Sequence, residues 1–126
     1  MAKDKGNDAL QKLIDAELQS LGIDAQTIVA WKKEHQTNIL HEIAVYTDST
    51  KTAVVVGYLK PADRVIVGRA MSLFAAQDQM GAGEFILDNC FVGGNPCLLN
   101  DDKIRISAAV QAAACIEILE SSVKKV

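Results

Sequence analysis

Cys90, Cys97 and Cys115, together with His35 and His41, are the side chains of this sequence best suited to metal or thiol chemistry. A structural zinc site asks for two closely spaced cysteine pairs. The gaps between these three cysteines do not supply them, and His35 or His41 would complete a ligand set only through the fold. A thiol nucleophile needs a base and surroundings that stabilise the thiolate. Cys90 with a histidine is the candidate for that chemistry. The apolar and turn contexts of all three favour the plainer reading, small buried hydrophobic residues. Gly81-Ala82-Gly83 resembles a fragment of a phosphate loop, but the Gly-Lys-Ser/Thr ending that would hold phosphate and metal is missing. Gly93-Gly94 reads as the close of a helix, where the dipole has the wrong sign for phosphate. General acid–base chemistry could pair Asp101 or Asp102 with Asp78, Glu84 or Asp88, given burial enough to raise one pKa. Helix capping accounts for Asp101 and Asp102 more simply. Arg64 and Asp88 both stand near helix ends, and an ion pair or a link to a loop carbonyl is expected of them. No catalytic residue, metal or organic cofactor is expected.

The composition bounds the rest. With 126 residues the chain fits one domain, commonly ~100–150 residues. At 49% hydrophobic it can bury a core unaided, and at 5% aromatic that core must be Val, Ile, Leu and Ala. A net charge of -3 offers no basic face to neutralise phosphates, so nucleic acid is not expected as a partner. Lys32-Lys33 and Lys124-Lys125 are too short for that role and read as solvated surface. The polar start, Met1 to Lys5, leads into no apolar segment, so no signal peptide is expected. No apolar run is long enough to span a bilayer, so no membrane partner is expected either. Free thiols in a reducing cytoplasm are the expectation.

The elements that would position these residues follow from periodicity. Leu10, Leu13, Ile14, Leu18 and Leu21 recur at spacings of three and four, which predicts a helix over about 8–21, stopped by Gly22. Asp24 caps a second helix over about 25–35, with Ile28, Trp31 and His35 on one face. The polar stretch Gln36-Thr37-Asn38 then breaks the pattern. Residues 1–36 therefore read as a helical arm and 37–126 as an α+β core. The arm's apolar stripe must be covered either by its own core or by another chain. Strands are predicted over 39–47 and 52–59, joined by the turn residues Asp48 to Lys51 as an antiparallel hairpin. Val54-Val55-Val56 is apolar on both faces, which makes the second strand the more buried. Gly57 marks a bulge or a close backbone approach. Pro61 suits a helix start, for a helix running to about Ala76. Gly68 inside it costs ~1 kcal/mol relative to Ala, which a close contact would offset. Further helices are expected over about 84–91, ended by Gly93-Gly94, and over about 102–125. Ile104, Ala108, Ala112, Cys115, Leu119 and Val123 stripe the last helix, and Ala112 to Ala114 permit a close neighbour. The order is ααββααα, an α+β fold with a β-hairpin and about five helices.

The motif Tyr58-Leu59-Lys60-Pro61-x-x-Arg64, then Asn89-Cys90-Phe91-x-Gly93-Gly94, then Asp101-Asp102 before a long helix, resembles small proteins of tailed phages and prophages, particularly of Bacteroides-type hosts. The wider pattern is similar to phage tail assembly chaperones. The resemblance covers about residues 56–126 and leaves out the arm. Phe91 stands where tryptophan is commoner, and Asn95 to Leu99 is less acidic than in the pattern. The resemblance implies a non-enzymatic chaperone or adaptor that binds tape-measure and tail-tube proteins in the host cytoplasm, without cofactors and absent from the finished virion. A structural virion component, such as a head–tail connector or minor capsid protein, is the alternative. Pro61, Arg64, Asn89, Cys90, Gly93 and Gly94 match the motif as fold-defining residues. Leu10, Leu13, Ile14, Leu18 and Leu21 are the expected partner-binding face, with other phage assembly proteins or a second copy as the partner.

Overall fold

The computed structural model describes residues 2–116 and 124–125 of the chain, with side chains described from Asp8 onward. The first helix, α1, spans Ala2–Leu21, and α2 spans Ala25–Glu34. Between them Gly22 takes a positive φ of 72°, as the helix stop requires. The Asp24 carboxylate accepts from the Thr27 N–H at 2.9 Å, and the Thr27 hydroxyl caps in return.

Strands β1 (His41–Tyr46) and β2 (Val54–Leu59) form the expected antiparallel hairpin, with Val45 opposite Val55 and Ala44 opposite Val56. The turn between them is held by the Asp48 carboxylate, which accepts from the Thr50 N–H at 3.1 Å. Every residue of β2 is buried. The reason goes beyond the hairpin: β2 is the central strand of a three-stranded antiparallel sheet. The third strand, β3 (Phe91–Gly94), lies where a glycine helix stop was expected. It pairs Gly94 with Gly57, Gly93 with Tyr58, and Phe91 with Leu59, which leaves Val92 as a bulge.

Helix α3 spans Arg64–Ala75 and α4 spans Gln79–Cys90. Pro61 precedes the helix instead of opening it, because Asp63 is the N-cap and accepts from the Ile66 N–H at 2.9 Å. Helix α4 begins earlier than expected, capped by Asp78, whose carboxylate accepts from the Gly81 N–H at 2.9 Å. It runs directly into β3. After Pro96 comes the short helix α5 (Cys97–Asn100), and then α6 (Asp102–Ala114), capped by Asp101. The expected continuation of the last helix, with Leu119 and Val123, lies outside the described residues.

Alternation along the sheet divides the core in two. Ile43, Val45, Val55 and Leu59 face α3, α4, α5 and α6, packing with Ile66, Ile86, Leu87, Leu98 and Ile104. Val54, Val56 and Tyr58 face the other way, onto α1 and α2. The chain is therefore α+β in three layers, with the sheet in the middle. Ala44 contributes to the α1/α2 side, and Trp31 sits against Tyr58 with ring centroids 5.8 Å apart.

Small residues set the helix contact behind the sheet. Helices α4 and α6 meet through Ala82, Gly83, Ala108, Ala109 and Ala112, all buried. A Cβ on Gly83 would strike the backbone carbonyl of Ala109. The close approach expected of the alanine run thus has its glycine partner on α4. Gly68, by contrast, faces open space, and the close contact expected to offset its cost is not made.

Candidate functional site

The residues singled out for chemistry do not converge. Cys90 ends α4 fully buried, and burial pushes its thiol up to about 11. Its backbone carbonyl accepts from the Lys60 N–H at 2.9 Å, tying the end of α4 to the end of β2. Cys97 is exposed on α5. Cys115 caps α6, its thiol also raised by burial and its S–H donated to the Gln111 carbonyl at 3.4 Å. His41 lines a cleft of about 200 Å3 with Cys115, Pro61, Ala62 and Val67. The raised pKa values keep the buried Cys90 and the half-buried Cys115 protonated at neutral pH, which is the wrong state for a nucleophile. Among the described residues, no three His, Cys, Asp or Glu side chains gather as a metal site.

Of the motif residues, Cys90, Gly93 and Gly94 build the junction between α4, β2 and β3. Asn89 donates its Nδ2–H to the Phe85 carbonyl at 2.7 Å, a bond within its own helix. Gly93 is needed because a Cβ there would lie 2.5 Å from Cζ2 of Trp31. Gly94 has a φ of 128° and would press a Cβ to 2.5 Å from the Gly57 Cα. Gly57 in turn leaves room for Leu98 and Phe91, so the close-approach reading of that glycine holds, while the bulge falls at Val92 on the neighbouring strand. Arg64 is exposed at the first residue of α3. The expected Arg64–Asp88 pair is not formed, because Asp88 is taken by Arg105 of α6. Arg105 escaped sequence reasoning since its partner is seventeen residues away and set by the α4–α6 crossing.

The leucine face expected to bind a partner is turned inward. Ile14 is 5% exposed and packs with Leu10, Leu13 and Leu18 on Val54, Val56 and Tyr58. Glu17, one turn on from Leu13, accepts from the Asn95 Nδ2–H at 2.8 Å and ties α1 to the end of β3. Leu21 is half-buried and lies outside that cluster.

What faces outward instead is an apolar strip on the far side of the molecule. Val110 of α6 is 60% exposed and Ile106, one turn earlier, 50%. Beside Val110, the side chains of Phe74, Met80 and Ala113 line a groove of about 150 Å3. Met71 stands one turn before Phe74 on α3 and is also exposed. The spacing of Ile106 and Val110 is visible in the sequence, but a helix with apolar residues on two faces does not announce which one is inside. No helix among the described residues is long and apolar enough to cross a membrane. Comparison of the chain with protein-family models, with curated proteins and with solved structures found no match.

Proposed function

We propose that the chain is a non-enzymatic binding protein, and more finely a tail assembly chaperone or adaptor of a tailed phage, engaging tape-measure or tail-tube proteins in the host cytoplasm. The observation that carries the binding role is the exposed strip of Ile106 and Val110 with the groove beside it, lined by Phe74, Met80 and Ala113. Contiguous apolar surface of this kind is what a protein partner covers. An amphipathic helix laying two or three apolar side chains into the groove fits its size and chemistry. The phage assignment rests on the sequence motif running from Tyr58 to Gly94. Cys90, Gly93 and Gly94 of the motif lie at the junction of α4 with the sheet and leave the strip free for contact.

The test is co-purification with the tail-tube and tape-measure proteins of the same phage, using the wild-type chain and Val110→Asp. The variant charges the strip without touching the buried alanines of α6. Binding that is lost in Val110→Asp, at an unchanged melting temperature, supports the reading. No binding by the wild-type chain would overturn it. Mass spectrometry of purified virions separates the two phage roles: a chaperone is missing from the particle, whereas a connector or minor capsid protein is present in it.

A further inference from the structure

The sequence holds three methionines, and the two among the described residues both stand at the outward apolar strip. Met80, in the first turn of α4, is 38% exposed and lines the groove with Phe74, Val110 and Ala113. Met71, one turn before Phe74 on α3, is 49% exposed. Neither belongs to the clusters on the two sides of the sheet, whose buried members are aliphatic apart from Tyr58 and Cys90. These exposed thioethers are therefore gathered at one surface and kept out of the core. Of the thiols, Cys90 is buried, Cys115 is half-buried, and the exposed Cys97 sits on α5, outside the groove lining.

We propose that Met80 and Met71 are peroxide-oxidation sites that switch the groove from an apolar docking surface to a polar one. The inference rests on the reading of the strip as a surface that a protein covers. Hydrogen peroxide is the oxidant. A lone pair of the thioether sulfur attacks one peroxide oxygen, so that an S–O bond forms and the O–O bond breaks. The attacked oxygen gives up its proton to the departing hydroxide, which leaves as water. Sulfur loses two electrons and the peroxide gains them. The product sulfoxide carries an acceptor oxygen where the thioether was flexible and apolar. In a groove of about 150 Å3 walled by Phe74, Val110 and Ala113, a partner's apolar side chain would have to strip water from that oxygen. Of the lining side chains, only Gln79 could donate a hydrogen bond in exchange. At Met71 the same change makes the rim polar. Because neither methionine packs into the core, the switch leaves the fold intact, and methionine sulfoxide reductase reverses it.

The experiment uses the full chain with Cys97→Ser, so that the exposed thiol takes no part, beside the same chain carrying Met71→Leu and Met80→Leu. Leucine keeps the apolar volume and has no sulfur to oxidise. Both proteins are treated with hydrogen peroxide, and uptake of the neutral apolar dye Nile red is titrated before and after. Mass spectrometry maps the added oxygen, and circular dichroism follows the fold. The methionine protein is expected to gain oxygen at both residues, keep its circular dichroism and bind the dye at least fivefold more weakly. Sulfoxide reductase is expected to restore the binding. The leucine protein is expected to bind as tightly after peroxide as before, and Met1, common to both, drops out of the comparison. The proposal is overturned by a methionine protein that takes up no dye before treatment, stays unoxidised at these residues, or binds unchanged or unfolds once they are oxidised. It is equally overturned by a leucine protein that loses as much binding. If the double variant does not fold, Met71→Leu and Met80→Leu are read singly by the same measures. Because the dye needs no phage partner, failed co-purification with tail proteins would count against the phage assignment alone.

Discussion

Arg105 of α6 holds Asp88 of α4 through two parallel hydrogen bonds, each 2.9 Å long. The same guanidinium reaches the Leu99 carbonyl at 3.4 Å and lies 3.7 Å from Glu84, one turn back on α4. One side chain therefore links α4, α5 and α6 behind the sheet. Its forked geometry suits a carboxylate in a way that lysine cannot reproduce. The Arg105 side chain is 20% exposed and that of Asp88 54%, so solvent weakens the pair.

Replacing Arg105 by alanine is expected to cost about 1 kcal/mol, and Arg105→Lys to lose most of the same amount. The hydrogen bonds to Asp88 raise the Arg105 pKa above its ordinary value. A raised cationic pKa gives stability that is complete below the unfolded value, so this contribution is constant across the neutral range. Urea denaturation at neutral pH reads it, and a neutral Arg105→Ala would remove the link from the account. Arg64→Ala, at an exposed position without Asp88, is expected to fall within about 0.5 kcal/mol of wild type.

Tyr58 leads to a prediction at the alkaline end. It is 7% exposed, and its hydroxyl donates to the Glu42 carboxylate at 2.7 Å. Burial first, and that hydrogen bond second, raise its pKa well above the ordinary value of 10.0. The fold thus favours the neutral phenol. The stability this gives is complete below the unfolded pKa and is lost as pH rises toward the folded one. Phenolate absorbance should show Tyr58 ionising only with unfolding. Tyr58→Phe should move alkaline unfolding upward while costing about 1 kcal/mol at neutral pH. A Tyr58 that ionises while the protein stays folded would contradict this.

The glycines of β3 should rank by what their missing Cβ would meet. At Gly93 it meets the Trp31 ring, a side chain able to shift, and Gly93→Ala is expected to cost ~1–3 kcal/mol. At Gly94 it meets the backbone of Gly57 and the Val56 carbonyl, at a φ that L residues rarely adopt, so Gly94→Ala should cost more. Gly68→Ala, mid-helix and facing open space, should stabilise by up to ~1 kcal/mol. Thermal denaturation of the three variants checks the order.

Signals that act within one turn or one hairpin were legible in the sequence. The stripe from Leu10 to Leu18, the Asp24 cap, the Asp48 turn and the two-sided apolarity of Val54 to Val56 each express a local rule. What escaped depends on distant chain. Phe91-Val92-Gly93-Gly94 has neither the length nor the alternation of a strand, and its glycines answer to Trp31 and Gly57, far away in sequence. A glycine pair after a helix reads locally as a stop, and only β2, whose second edge has backbone groups to pair, makes it a strand. Asp63 won the cap from Pro61 because a carboxylate can accept from a free N–H and proline cannot. The outward strip at Ile106 and Val110 was hidden for a related reason: only the α4–α6 contact reveals which face of α6 is spent.

The last prediction concerns residues 1–36. Their apolar stripe was open to cover by the core or by another chain, and α1 lies on β2 of the same chain. Val54, Val56 and Tyr58 are each less than 10% exposed, under Ile14, Leu10, Leu13, Leu18, Ile28 and Trp31. Burying one such aliphatic side chain is worth ~1.5–3 kcal/mol, and several together rival the ~5–15 kcal/mol of a whole domain. Deleting Met1 to Gln36 is therefore expected to leave an insoluble or unfolded product, in place of the folded core that a separable arm would leave. Ile14→Ala makes the same point more gently, with an expected loss of ~2–4 kcal/mol. Circular dichroism and light scattering on the truncated chain, with urea denaturation of Ile14→Ala, measure both. A soluble truncated protein that melts cooperatively, beside an Ile14→Ala as stable as wild type, would show that the sheet does not depend on this cover.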